Sequence, residues 1–277
     1  MFDLHTHFLP PRVMAKVREQ FDSAGPLIGR PGPLHYRGDE AALVEELRGL
    51  GVRHFTALAY AHRPGMAAFL NDWTADFAGR VPEALHCGTF FPEPEVASYV
   101  AARLAAGVQV WKVHVQVGGF DPRDPLLRPA WGLLADAGVP VVVHCGNGPI
   151  PGPHTGLDVF GEVLIEHPAL RVVLAHAGMP DYAGALDLLG RFEYVRLDTT
   201  MVGTPFSERI APLPADWPAR LVPVADRVVF GSDFPNIPYP YAEQVGAVAR
   251  WAAADRRLGA TFLRSVLYHT PTQLIDF

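Results

Sequence analysis

Cysteine is scarce in this chain, with only Cys87 and Cys145 among 277 residues. That excludes a disulfide-stapled fold and fits buried thiols in a reducing compartment. Dense runs of Lys or Arg are also missing and the formal net charge is −6. Nucleic acid is therefore not an expected partner, because such a surface needs concentrated positive charge. Long hydrophobic runs are absent too. Stretches such as "VPVVVH" fall far short of the roughly 20 apolar residues of a membrane helix, so no membrane partner is expected. A secretory signal would occupy the segment that holds "DLHTH", and the expected location is cytoplasmic. With no internal repeat, low-complexity tract or break in composition, residues 1–277 are expected to form one domain.

What the chain does contain is 49% hydrophobic residues, ample for a large core. Short β-branched runs alternate with amphipathic segments along the whole length, the pattern of βα units around a parallel sheet. The candidate strands are "FDLHTH", "RHFTALAY", "ALHCGTFF", "VQVWKVHVQ", "VPVVVH", "RVVLAH", "YVRLDTT" and "RVVFGSD". Several intervening helices close on glycine, at Gly51, Gly107 and Gly138, as expected of a left-handed C-terminal cap. Eight such pairs predict an α/β fold of the (β/α)8 TIM-barrel type, distorted, with its site at the C-terminal mouth. A doubly wound open sheet is the competing fold, but no Gly-rich phosphate loop follows the first strand. Two stretches break the rhythm, from about Pro10 to Pro33 and "TTMVGTPFSERIAPLPADWP", and these read as loops overhanging the mouth.

The chemistry concentrates at strand ends. Strand alternation places Asp3, His5 and His7 on one face, with Phe2, Leu4 and Thr6 on the other. "VPVVVH" ends on His144, "RVVLAH" on His176 and "RVVFGSD" on Asp233. A polar group buried there without a partner costs about 1–3 kcal/mol, and a shared cation would satisfy all of them at once. Imidazole and carboxylate together suit Zn²⁺, Mn²⁺ or Fe²⁺. Water on such an ion has a pKa of about 7 rather than 15.7, which supplies hydroxide without a serine or cysteine nucleophile.

These motifs, "DLHTHFLP", "VVVHCG", "VVLAHAG" and "VVFGSDFP" in this order, resemble the amidohydrolase superfamily, and within it the amidohydrolase-2 branch that includes aminocarboxymuconate semialdehyde decarboxylase. The resemblance covers essentially the whole chain. It implies a distorted barrel holding one divalent ion, with zinc first and manganese or iron as alternatives. His5, His7, His144 and Asp233 would be the ligands. Asp233 would also handle a proton, and His176 would polarise or orient the substrate. Asp3 would either brace an imidazole or stand as a satisfied core carboxylate. Some branches carboxylate a fourth-strand lysine to bridge two metals, whereas the branch resembled here works with one ion. A homodimer is compatible with the resemblance.

"VWKVHVQV" sets Lys112, His114 and Gln116 on one strand face, where Lys112 and His114 would line the pocket. Tyr60 and His62, after the second strand, are further candidates for substrate contact, and Cys145 should face away from the metal. Asn71 is read as structural. The resulting expectation is a metal-dependent hydrolase acting on a small-molecule ester, lactone or amide. A non-oxidative decarboxylase of an unsaturated or aromatic acid is the first alternative, and a non-catalytic metal-binding barrel the second.

Overall fold

The computed structural model describes residues 1–24 and 34–275. Eight short strands appear where the alternation predicts them: β1 Phe2–Asp3, β2 His54–Phe55, β3 Cys87–Thr89, β4 Val110–His114, β5 Val141–His144, β6 Val172–Leu174, β7 Val195–Asp198 and β8 Val228–Val229. All pair in parallel, β1 with β2 and β3 through β8 in sequence order. Both seams between these two groups are bridged. Phe55 pairs with Ala84 on one side and Thr6 with Phe234 on the other. At the second seam the Leu4 amide donates to the Phe230 carbonyl at 2.9 Å and the His7 amide to Phe234 at 2.7 Å. The strands thus form the ring of a parallel α/β barrel, with helices alternating between them.

Side-chain alternation sorts the core into two bodies. Val110, Val142, Val173 and Val229 pack with Phe2, Leu4, Leu58 and Cys87 in one buried cluster. Trp111, Val113, Val141, Val143, Leu174 and Leu197 join the larger cluster shared with the helices. Lys112, His114, His144 and Asp198 share the parity of the first set. Cys145 belongs to the second cluster, on the face expected of it. Gly51, Gly107 and Gly138 have φ of 78°, 85° and 64°, the left-handed turn that lets each helix stop and the next strand begin.

Four expectations are revised. Phe2 and Leu4 lie in the inner cluster while Asp3 turns to the helix side, because a bend at Leu4 shifts the alternation before His5. The stretch from Pro10 to Pro33 is not simply a loop, since Pro11–Ala24 is helical, opening on a proline that suits the first turn; residues 25–33 lie outside the described residues. Gln116 is not on a strand but in the short helix Val115–Gly118 that follows His114. The other predicted loop, 199–218, contains a 3₁₀ turn at Ser207–Arg209 and the helix Trp217–Leu221. Met201 and Phe206 from this loop pack with Ile237 and Tyr239. Among the described residues no helix is long and apolar enough to cross a membrane.

Candidate metal centre and active site

The first strand delivers two imidazoles whose tautomers are set by what they touch. The His7 Nδ1 lies 2.8 Å from the Leu58 carbonyl, which can only accept, so Nδ1 carries the proton and Nε2 keeps its lone pair. Likewise the His5 Nδ1 donates to Asp198 Oδ2 at 2.7 Å, and its Nε2 accepts from the Lys112 Nζ at 3.2 Å. Both Nε2 atoms lie beside Asp233. Its Oδ1 lies 2.8 Å from His7 Nε2 and 3.5 Å from His5 Nε2, and one ligand atom from each of the three residues falls within 4.8 Å of the others. A neutral nitrogen and a carboxylate oxygen, both acceptors, meet at hydrogen-bond distance only if positive charge lies between them. A divalent cation satisfies that requirement, and two imidazoles with one carboxylate are a set that zinc or manganese accepts.

The backbone at this mouth is unusual. Asp233 has φ of 71° and His176 and Ala177 have φ of 55° and 48°, in the left-handed region that non-glycine residues seldom occupy. The Asp233 turn is tied down by its amide donating to the His5 carbonyl at 2.8 Å. Burial pushes the Asp233 carboxyl up, but the close approach of His7, with His5 and His176 beside it, outweighs burial and holds the group well below the usual carboxylate range. Desolvation is the main influence on the imidazoles, driving His5, His114 and His144 well below the ordinary histidine value and lowering His176. Neutral histidines with open lone pairs at neutral pH follow from this.

His144 stands outside the three-residue group. Its Nε2 donates to the Gly148 carbonyl at 3.0 Å, leaving Nδ1 open, and its ring stacks on His114 with centroids 3.9 Å apart and planes at 17°. His176 lies close by, its ring 5.3 Å from His5 and 4.7 Å from His144. Its Nδ1 donates to the Thr200 carbonyl at 3.2 Å, so its Nε2 is an acceptor. The His114 Nδ1 accepts from the Val117 amide at 3.3 Å, which puts the ring proton on Nε2. Lys112 is fully buried, and desolvation, partly offset by Asp198 and Asp233, brings its ammonium down to about 8.

The Tyr60 ring is 5.7 Å from His7 and 5.1 Å from His114, with its phenol pushed up by burial and by Asp233. His62 is exposed, and no contact among the described residues ties it to this group. Among the described residues, no imidazole ring contact is seen for Asp3. It accepts from Ser232 Oγ at 2.6 Å, the Tyr241 hydroxyl at 2.8 Å and the His5 amide at 3.1 Å. Burial, opposed by these bonds, still raises it to about 7.

The sequence reading passed over Asp198. The signal was available, because "YVRLD" ends on a carboxylate at the same strand-end position as the residues it did single out. Asp198 is 1% exposed and bonds to His5, so it belongs to the constellation.

A family model described as amidohydrolase matches residues 2–277. No curated protein matches the chain. Among solved structures, an uncharacterized TIM-barrel protein from Bordetella bronchiseptica is similar, with 18% identity, TM-score 0.74, and coverage of 100% of this chain and 99% of that one. So is a probable 2-pyrone-4,6-dicarboxylic acid hydrolase from Acinetobacter baumannii, with 15% identity, TM-score 0.62 and 100% of both chains. A 5-carboxyvanillate decarboxylase from Novosphingobium aromaticivorans, with manganese bound, shows 14% identity, TM-score 0.61 and coverage of 100% and 97%. At these identities the likeness concerns the fold.

Proposed function

The chain belongs to the amidohydrolase family of metal-dependent enzymes, and on that premise we propose that it hydrolyses a small ester, lactone or amide with water activated at the His5–His7–Asp233 centre. The observation that carries this reading is the convergence of the two Nε2 lone pairs on Asp233 Oδ1. Zinc is the ion assigned, with manganese the next fit. Bound there, the ion supplies Lewis acidity toward a carbonyl oxygen and acidity to water. The rest falls to the side chains.

Asp233, held ionised and strained in its turn, has Oδ1 engaged by His7 and takes the proton of the attacking water on Oδ2. His176, an acceptor at Nε2, orients that water. The donor toward the substrate oxygen is His114, whose proton is on Nε2, so the polarising role expected of His176 passes to His114. His144 stiffens the mouth through its stack on His114. Lys112 donates to the His5 Nε2 lone pair, and with an ion held by that nitrogen its amine would be free to meet an anionic oxygen of the substrate. Tyr60 closes the side next to His7 and His114.

A decarboxylase is the second reading, favoured by one observation: the buried Lys112 amine beside His5 is a cation that could meet a substrate carboxylate. Turnover in H₂¹⁸O across a panel of lactones, esters, amides and unsaturated acids separates the two. Hydrolysis places ¹⁸O in the product carboxylate. Release of CO₂ from an acid, with no ¹⁸O in the organic product, overturns the hydrolase assignment.

A further inference from the structure

The Asp198 carboxylate lies on β7, His5 follows β1, and β8 stands between these strands in the ring. A carboxylate crosses that gap only if the intervening residue is small. That residue is Gly231. A Cβ built on it would lie 2.7 Å from the His5 Cβ, 2.3 Å from Thr200 Oγ1 and 3.5 Å from the Asp198 Cβ. Any side chain there would have to push the imidazole or the threonine aside. Through this window Asp198 Oδ2 takes the His5 Nδ1 proton at 2.7 Å. Its Oδ1 accepts two backbone amides, His176 at 2.8 Å and Thr200 at 3.0 Å. The first belongs to the left-handed His176 turn, the second to the loop whose carbonyl orients the His176 ring.

We propose that Asp198 is a positioning residue which, reaching through the Gly231 window, fixes the tautomer of His5 and the turn of His176 together, so that one buried carboxylate sets both sides of the centre. This rests on the ion site proposed above for its consequence, but not for its geometry. With its proton held on Nδ1, His5 must offer Nε2 as a lone pair. Side chains that orient a metal-binding imidazole in this way are worth about 10–100-fold in metal affinity.

Asp198→Asn tests the arrangement with little change of shape. Two backbone N–H groups face the Oδ1 position, so the carboxamide oxygen must go there and its NH₂ must face His5 Nδ1. That nitrogen then has to accept, and the His5 proton moves to Nε2, where it blocks ligation. The ¹⁵N spectrum of histidine-labelled, ion-free protein is expected to show His5 protonated on Nδ1 in the wild type and on Nε2 in the variant. Chelator competition with Zn²⁺ and Mn²⁺ is expected to show a 10–100-fold weaker Kd, with the circular dichroism spectrum retained. Should Asp198→Asn fail to fold, Gly231→Ala keeps the carboxylate, displaces its partner and is expected to weaken both ions similarly. An unchanged His5 tautomer with Kd within twofold of wild type in the folded variant overturns the proposal. If the wild type binds neither ion yet the tautomer shifts on Asp198→Asn, the positioning role stands and the ion site falls.

Discussion

The His7 Nε2 and the Asp233 Oδ1 lie 2.8 Å apart although 226 positions separate them in the chain. They meet because a parallel ring returns the eighth strand beside the first, and because the Asp233 turn is tied by its own amide to the His5 carbonyl. A carboxylate held this way has one oxygen committed to the histidines and one left for proton transfer. Asp233→Asn keeps the shape and removes the base. At full metal occupancy, confirmed by elemental analysis, kcat should fall by about 10²–10⁴-fold, the usual worth of a positioned proton acceptor. Unchanged kcat in a fully loaded variant would contradict the proton role.

Much of this was legible in the residue order, and the failures have particular causes. The runs leading into His144, His176 and Asp233 announced themselves as β-branched stretches stopping on a polar residue, a signal that survives burial. Period-two alternation then misplaced Asp3, because the bend at Leu4 depends on a hydrogen bond from the His5 amide to Asp3 itself, which no pattern displays. His144 ends its strand as expected, and how its ring turns is a matter of rotation that no pattern displays: the Gly148 carbonyl, four residues downstream, takes its Nε2 and leaves Nδ1 open. The Asp198 brace was hidden for another reason, since its meaning lies in a missing side chain at Gly231.

Ion removal should be visible as lost stability. A ligand present at a hundredfold its Kd stabilises the folded state by about 2.7 kcal/mol, so chelation should lower Tm by several degrees and Zn²⁺ or Mn²⁺ should restore it. His7→Asn loses one of the convergent lone pairs and should abolish the ion-dependent part of the shift while leaving the apo Tm within a few degrees. Calorimetry with and without chelator measures both. An ion-independent Tm in the wild type would count against the centre.

A second stability prediction concerns a side chain outside the ion centre. Asn71, in the helix Met66–Arg80, pairs with the β3 backbone as a strand would: its Nδ2 donates to the Thr89 carbonyl at 3.0 Å and its Oδ1 accepts the Thr89 amide at 2.7 Å. The site is 1% exposed. Asn71→Leu fills the volume but strands both backbone groups, at about 1–3 kcal/mol for each buried group left unpaired. Urea unfolding should show that loss, with the ion affinity unchanged because β3 contributes no residue to the centre.

The pH dependence of the ion-free protein follows from which groups burial has moved, and in which direction. His5, His114, His144 and His176 are all lowered from the ordinary value of 6.5. Below that pH the unfolded chain takes up protons that the folded one refuses, so their contribution, complete above 6.5, is lost on acidification. Asp3 works the other way. Raised from 3.8 to about 7, it keeps its proton in the folded state through a window where the unfolded carboxyl has lost it, and its contribution is complete at low pH and disappears as pH rises through about 7. These four, with His54, His62, His86 and His167 lowered likewise, oppose the one carboxyl, so the urea midpoint of the apo protein should drop between pH 7 and pH 5. Asp3→Asn removes the opposing influence and should make that drop steeper. A midpoint that rises on acidification would mean that the four imidazoles are not held neutral, and the open lone pairs on which the centre depends would go with them.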